Sequence, residues 1–79
     1  MPPTMDLIAE TLREKFRVEI PLTPETRLEE LGLDSLDQIS FLFSLEEKSG
    51  VKIPDEDLEK YNLERLGQIA QHIEKLRGA

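Results

Sequence analysis

Ser35 is the residue in this chain whose type and setting could do chemistry. It follows Gly32-Leu33-Asp34 and opens a stretch rich in Leu, Ile and Phe. Ser35-Leu-Asp-Gln38 has the spacing of a capping box, in which the hydroxyl accepts from the third backbone N–H and Gln38 reaches back. On spacing alone the serine is a helix cap. Nucleophilic chemistry has less support: Gly32-Leu-Asp-Ser-Leu36 is not the G-x-S-x-G elbow. The single histidine, His72, falls on the last amphipathic stretch with no positioned acid evident, and reads as a surface or boundary residue. Cysteine is absent, which removes disulfides, thiolate nucleophiles and zinc–thiolate sites from the chain itself. The acids of Asp55–Glu59 lack the glycine and terminal glutamate of a calcium loop, so no metal site is expected.

The elements that must position Ser35 are helices. Met5, Ile8, Leu12 and Phe16 recur every three or four residues, which predicts a first helix from Thr4 to Arg17. Thr4 is its expected cap; Asp6 at its start and Arg13, Lys15 and Arg17 at its end suit the helix dipole. From Val18 to Asp34 no period persists and Pro21 and Pro24 interrupt the chain, so a long connection is expected. Within it, Thr26-Arg-Leu-Glu29 fits a capping box and predicts a short helical turn with Leu28 and Leu31 pointing inward. A second helix should run from Ser35 to Ser49 and stop at Gly50. Asp55–Lys60 predicts a short helix with Glu56 and Lys60 paired one turn apart. Asn62 should cap a last helix from Leu63 to Arg77, with Leu66, Ile69, Ala70, Ile73 and Leu76 as its apolar stripe and Gly78 as its stop. No strand pattern competes. The expected fold is all-α, a four-helix bundle of three main helices and one short one, with a long first connection.

Size and charge narrow the function. Seventy-nine residues make one domain, residues 1–79, near the limit where a single core supplies little surplus stability. That leaves little wall for an active site, so a non-enzyme is expected. The net charge is −7, and residues 25–64 hold twelve acids against four bases. Nucleic acid and anionic membrane are therefore poor partners. The acidic middle is either a solvated surface or an electrostatic docking face for basic partners. No run approaches the ~18 apolar residues of a membrane span, and the opening MPPTMDLIAETLRE lacks the apolar centre of a signal peptide. A cytosolic monomer is the expectation.

The second helix carries more apolar surface than one packed face needs. Phe41, Leu42 and Leu45 point one way; Leu36, Ile39 and Phe43 form another stripe about a third of a turn or more away at 100° per residue. A central helix packed on two sides would account for this. However, Glu46 and Glu47 flank the second stripe, and Asp37 and Ser40 lie on its polar side. An apolar row edged with acids also fits a docking surface.

The run Leu31-Gly-Leu-Asp34-Ser35-Leu36-Asp37, continued by Leu45-Glu46-Glu47 and Ile53-Pro54-Asp55-Glu56, resembles the acyl carrier proteins over essentially the whole chain. The resemblance implies that Ser35 is esterified with phosphopantetheine by a phosphopantetheinyl transferase, with Asp34 helping to position the helix end and that enzyme. It implies a carrier that tethers acyl intermediates as thioesters and presents them to acyl-transferring or acyl-activating enzymes with basic docking patches, in lipid or polyketide-type biosynthesis. Leu36, Asp37, Ile39, Phe43, Glu46 and Glu47 match the family's partner-contacting helix. Leu45, Ile53, Leu58 and Leu66 become candidate lining for a sheathed acyl chain, or plain core. The physics agrees with such an ester: a helix start offers free N–H groups and a positive dipole end to a phosphodiester. Arg27, Ser40, Phe41, Phe43, Lys48 and Tyr61 depart from the pattern of fatty-acid carriers, which fits a carrier dedicated to one pathway. The alternatives are an aminoacyl or peptidyl carrier, against which Asp34 before the serine argues, and an acidic helical adaptor that is never modified.

Overall fold

The computed structural model describes residues 3–78. They form α1 (Pro3–Phe16), a 3-10 turn (Leu28–Leu31), α2 (Ser35–Ser49), the short α3 (Asp57–Lys60) and α4 (Leu66–Gly78). Among the described residues there is no strand, only an isolated bridge between Arg27 and Arg65. This is the expected all-α bundle of three long helices and one short one. Among the described residues no helix is long and apolar enough to cross a membrane.

The core follows the apolar periods. Met5, Ile8 and Leu12 of α1, Phe41, Leu42 and Leu45 of α2, and Leu66, Ile69 and Ile73 of α4 are all buried in one cluster. Phe16 meets Phe41 edge-on, with ring centroids 6.2 Å apart, a geometry that aromatic quadrupoles favour. Along α2, Gly50 adopts a left-handed φ of 77° and returns its N–H to Glu46 O at 2.9 Å, closing the helix as expected.

Several local expectations give way to tertiary packing. Thr4 is not a cap, because α1 already begins at Pro3, where a residue without an N–H is tolerated. Thr4 is instead buried, and its hydroxyl donates to Glu74 of α4. The box expected at Thr26–Glu29 is replaced by one bond a residue later, from Arg27 N–H to Glu30 Oε1 at 2.8 Å. Thr26 is buried, where its Oγ1 accepts from Thr23 N–H at 2.9 Å. Helix α4 starts at Leu66, not Leu63, and Asn62 takes a φ of 52° instead of capping. The residues before α4 are pinned to the long connection by Leu28 N–H to Glu64 O and Leu66 N–H to Thr26 O, both 2.9 Å. The side chain of Gln68 then accepts from Glu64 and Arg65 N–H at 2.9 and 2.8 Å, satisfying those donors from inside the helix. At the far end α4 runs through Gly78, and Leu76 is exposed rather than part of the core stripe. The short helix begins at Asp57, and Lys60 places Nζ 5.4 Å from the Tyr61 ring centre rather than on Glu56.

The long connection is thus fastened, not loose. Its tightest point is Gly67, whose N–H donates to Pro24 O at 2.9 Å. A Cβ on Gly67 would meet Pro24 Cβ at 2.8 Å and Pro24 O at 2.9 Å. Neither can swing aside as a flexible side chain would. Gly67→Ala is therefore expected to cost about 1–3 kcal/mol, read as a fall of several degrees in the melting temperature by circular dichroism.

Candidate functional site

The head of α2 is built by a turn that the sequence specifies closely. Gly32 has a φ of 73°, a left-handed conformation that glycine adopts without a Cβ clash. The chain then extends at Asp34, which has φ −81° and ψ −177°. Asp34 Oδ1 accepts from Asp37 N–H at 2.8 Å, and Gln38 N–H makes the first helical bond to Asp34 O at 3.0 Å.

This corrects the expected capping. Asp34, not Ser35, is the cap, and the Ser35–Gln38 box does not form. Both residue types cap well, and the choice falls to whichever has extended backbone with its carbonyl already in the helix. The consequence for Ser35 is direct. It is the first helical residue, it is exposed, and no hydrogen bond to its Oγ forms among the described residues. The N–H groups of Ser35 and Leu36 have no intrahelical partner, as in any first turn. The hydroxyl therefore stands in solvent beside two unpaired donors and the positive end of a helix of fifteen residues.

A groove of about 440 Å³ has Ser35 among its lining residues. Ser35, Gln38, Ile39 and Leu42 form its α2 wall; Asp55, Glu56, Leu58 and Glu59 form the opposite one. A smaller hollow of about 100 Å³ shares Ile39, Leu42 and Asp55 with it and reaches Phe43, Glu46, Ile53 and Pro54. Of the four residues named as candidate lining, Leu58 and Ile53 lie on these hollows. Leu45 and Leu66 are fully buried in the core. The α2 wall was missed as lining, because Ile39 and Leu42 border each other from the edges of its two stripes.

The two stripes of α2 separate cleanly. Phe41, Leu42 and Leu45 are buried, whereas Leu36 is 74% and Phe43 60% exposed. Ile39 and Asp37 are half-buried and Glu47 is exposed. Glu46 has a further tie, because its Oε2 accepts from Ile53 N–H at 2.6 Å.

His72 does have a positioned acid, contrary to expectation. Its Nε2 lies 2.9 Å from Asp57 Oδ2, a pairing across fifteen residues that no local pattern signals. Its bonded partner is thus on α3, and among the described residues nothing pairs with Ser35 to activate it as a nucleophile.

The site thus consists of an exposed serine hydroxyl at a helix start beside an open groove. Comparison with known proteins places the chain in a family. The family model described as "Phosphopantetheine attachment site" matches residues 6–73. The acyl carrier protein of Helicobacter pylori (strain ATCC 700392 / 26695) is 39% identical over 69 residues, which cover 85% of this chain and 86% of that protein. The acyl carrier proteins of H. pylori strains G27 and HPAG1 match with the same identity and coverage. On these matches the chain belongs to the acyl carrier protein family, non-catalytic carriers that bear a covalent phosphopantetheine.

Proposed function

We propose that Ser35 is the residue that carries phosphopantetheine, and that residues 1–79 act as one carrier domain presenting acyl intermediates to partner enzymes of lipid or polyketide-type biosynthesis in the cytosol. One observation carries this reading: the Ser35 hydroxyl is exposed and unbonded because its neighbour Asp34 has taken the capping role. Residues here suit the group. Two unpaired first-turn N–H groups and the helix dipole favour a phosphodiester on Ser35, and the groove of about 440 Å³ is lined in part by the same residue. When attached, the arm supplies a terminal thiol that holds acyl groups as thioesters, chemistry that a chain without cysteine lacks.

The chain's own residues do the rest. Asp34 fixes the helix end and with it the direction of the hydroxyl. Ile39, Leu42, Ile53 and Leu58 offer apolar surface to a chain folded back from Ser35; Leu45 and Leu66 lie beneath and become accessible only if the bundle opens. Leu36, Asp37, Ile39, Phe43, Glu46 and Glu47 form the docking face, an apolar centre with an acidic edge that suits enzymes with basic patches. The departures at Arg27, Ser40, Phe41, Phe43, Lys48 and Tyr61 favour a carrier dedicated to one pathway.

Incubation with coenzyme A and a broad-specificity phosphopantetheinyl transferase tests the assignment. Intact-mass measurement should show one phosphopantetheine gained, and peptide mapping should locate it on Ser35. Gain at another residue or none at all rejects the assignment, and no gain favours an unmodified adaptor. The charge of the docking face adds a second expectation. Binding to a basic partner enzyme should weaken steadily as salt rises through ~0.15 M, where the screening length is about 8 Å. Salt-independent binding in a titration would assign recognition to the apolar stripe alone.

A further inference from the structure

Between Asp55 and Glu59, every residue except Asp57 lines the groove beside Ser35. Asp57 is turned instead toward α4, where its Oδ2 lies 2.9 Å from His72 Nε2. The two side chains are only 14% and 12% exposed, and the Tyr61 ring lies over the imidazole with centroids 4.9 Å apart. Nothing in attachment or docking uses this pair.

The helix it holds has few anchors of its own. Helix α3 has four residues, none buried, and Glu56 at its start makes no side-chain cap. So short a helix gains almost nothing from propagated hydrogen bonds. Leu58 is only half-buried against the core. At the other end of the segment, Ile53 N–H donates to Glu46 Oε2. The groove therefore has unequal walls. The α2 wall is backed by the buried Phe41, Leu42 and Leu45, whereas α3 itself is anchored by the half-buried Leu58 and the polar ties, with the buried Ile53 and Leu63 flanking it in sequence.

We propose that Asp57 and His72 are positioning residues that set the width of the groove and so the length of acyl chain this carrier sheathes, an inference that rests on attachment at Ser35. A short chain lies in the groove as it stands. A longer one must push α3 outward, because the α2 wall cannot yield, and doing so strains a hydrogen bond whose partners are poorly hydrated and costly to leave unpaired. The pair thus discriminates against long chains without touching them.

The test compares wild type with Asp57→Ala and His72→Gln. Because Asp57 lies outside the buried apolar cluster formed by α1, α2 and α4, Asp57→Ala should keep the bundle folded, which far-ultraviolet circular dichroism checks. The glutamine amide can donate in place of the imidazole N–H, so His72→Gln serves as the conservative control. In the unmodified proteins, amide exchange at residues 57–61 should speed up about tenfold in Asp57→Ala and little in His72→Gln, as expected for losing one such bond in a local opening. In the holo proteins loaded with saturated chains of graded length, the rate of thioester cleavage by hydroxylamine reports shelter. The longest protected chain should lengthen by about two carbons in Asp57→Ala, since the tie is worth roughly the burial of two methylene groups. His72→Gln should keep the wild-type limit. An unchanged length limit in Asp57→Ala, or protection lost equally at all lengths, overturns the proposal and leaves the pair a fold-stabilising contact. Failure of wild type to accept the arm at Ser35 would instead reject the attachment site, a distinct result.

Discussion

Ser35→Ala will abolish the mass gain of one phosphopantetheine while leaving the bundle intact. The two effects separate because the hydroxyl does no structural duty. It is exposed and unbonded, and Asp34 supplies the cap that α2 needs. Removing it should change stability by less than about 0.5 kcal/mol, as for surface positions without special contacts. The loss of modification should be complete, since an alanine methyl cannot form a phosphate ester. Intact-mass measurement reads the first effect and a thermal melt the second. A variant that melts many degrees lower would mean that Ser35 serves as a cap after all, and a variant that still gains the arm would move the attachment elsewhere.

Phe41→Ala and Phe43→Ala should behave as opposites although they lie two residues apart. Phe41 is 1% exposed and packs edge-on against Phe16. Truncating such a side chain costs about 3–5 kcal/mol, a large part of the roughly 4–12 kcal/mol that a domain of this length has in total. A fall of about 15 °C or more in the melting temperature follows. Phe43 is 60% exposed, so its truncation should shift the melt by no more than about 3 °C. The same change should weaken binding to a partner enzyme by about tenfold if Phe43 is an anchor of the docking face. Equal melts for the two variants would contradict the separation of the stripes, and undiminished binding by Phe43→Ala would remove Phe43 from that face.

The behaviour of α2 shows how much the sequence carries. Helical period is local, so the apolar positions of α1, α2 and α4 could be read directly, and so could the excess of them on α2. That Phe41 and Leu45 go inward while Leu36 and Phe43 stay out also follows the angular separation of the two stripes. What could not be read was whether anything covers the second stripe, because periodicity states which face is apolar and not what lies across from it.

Capping was legible only as a neighbourhood. Asp34 and Ser35 are both good caps, and the outcome turned on one extended backbone conformation set by the turn at Gly32. The same holds for Thr4, a plausible cap by type that is buried against α4. It holds too for α4, whose first turn was given up to backbone pairing with the connection.

By itself, then, the sequence determined the helices, the acidic middle, the position of the serine at a helix start and the family motif around it, all of which depend on neighbours a few residues away. Tertiary structure alone decided that Thr4 is buried with its hydroxyl on Glu74, that Glu46 is tied to Ile53, and that His72 meets Asp57. Those outcomes depend on hydrogen-bond partners brought together only when the core formed by α1, α2 and α4 closes, and a short-range pattern holds no record of such partners.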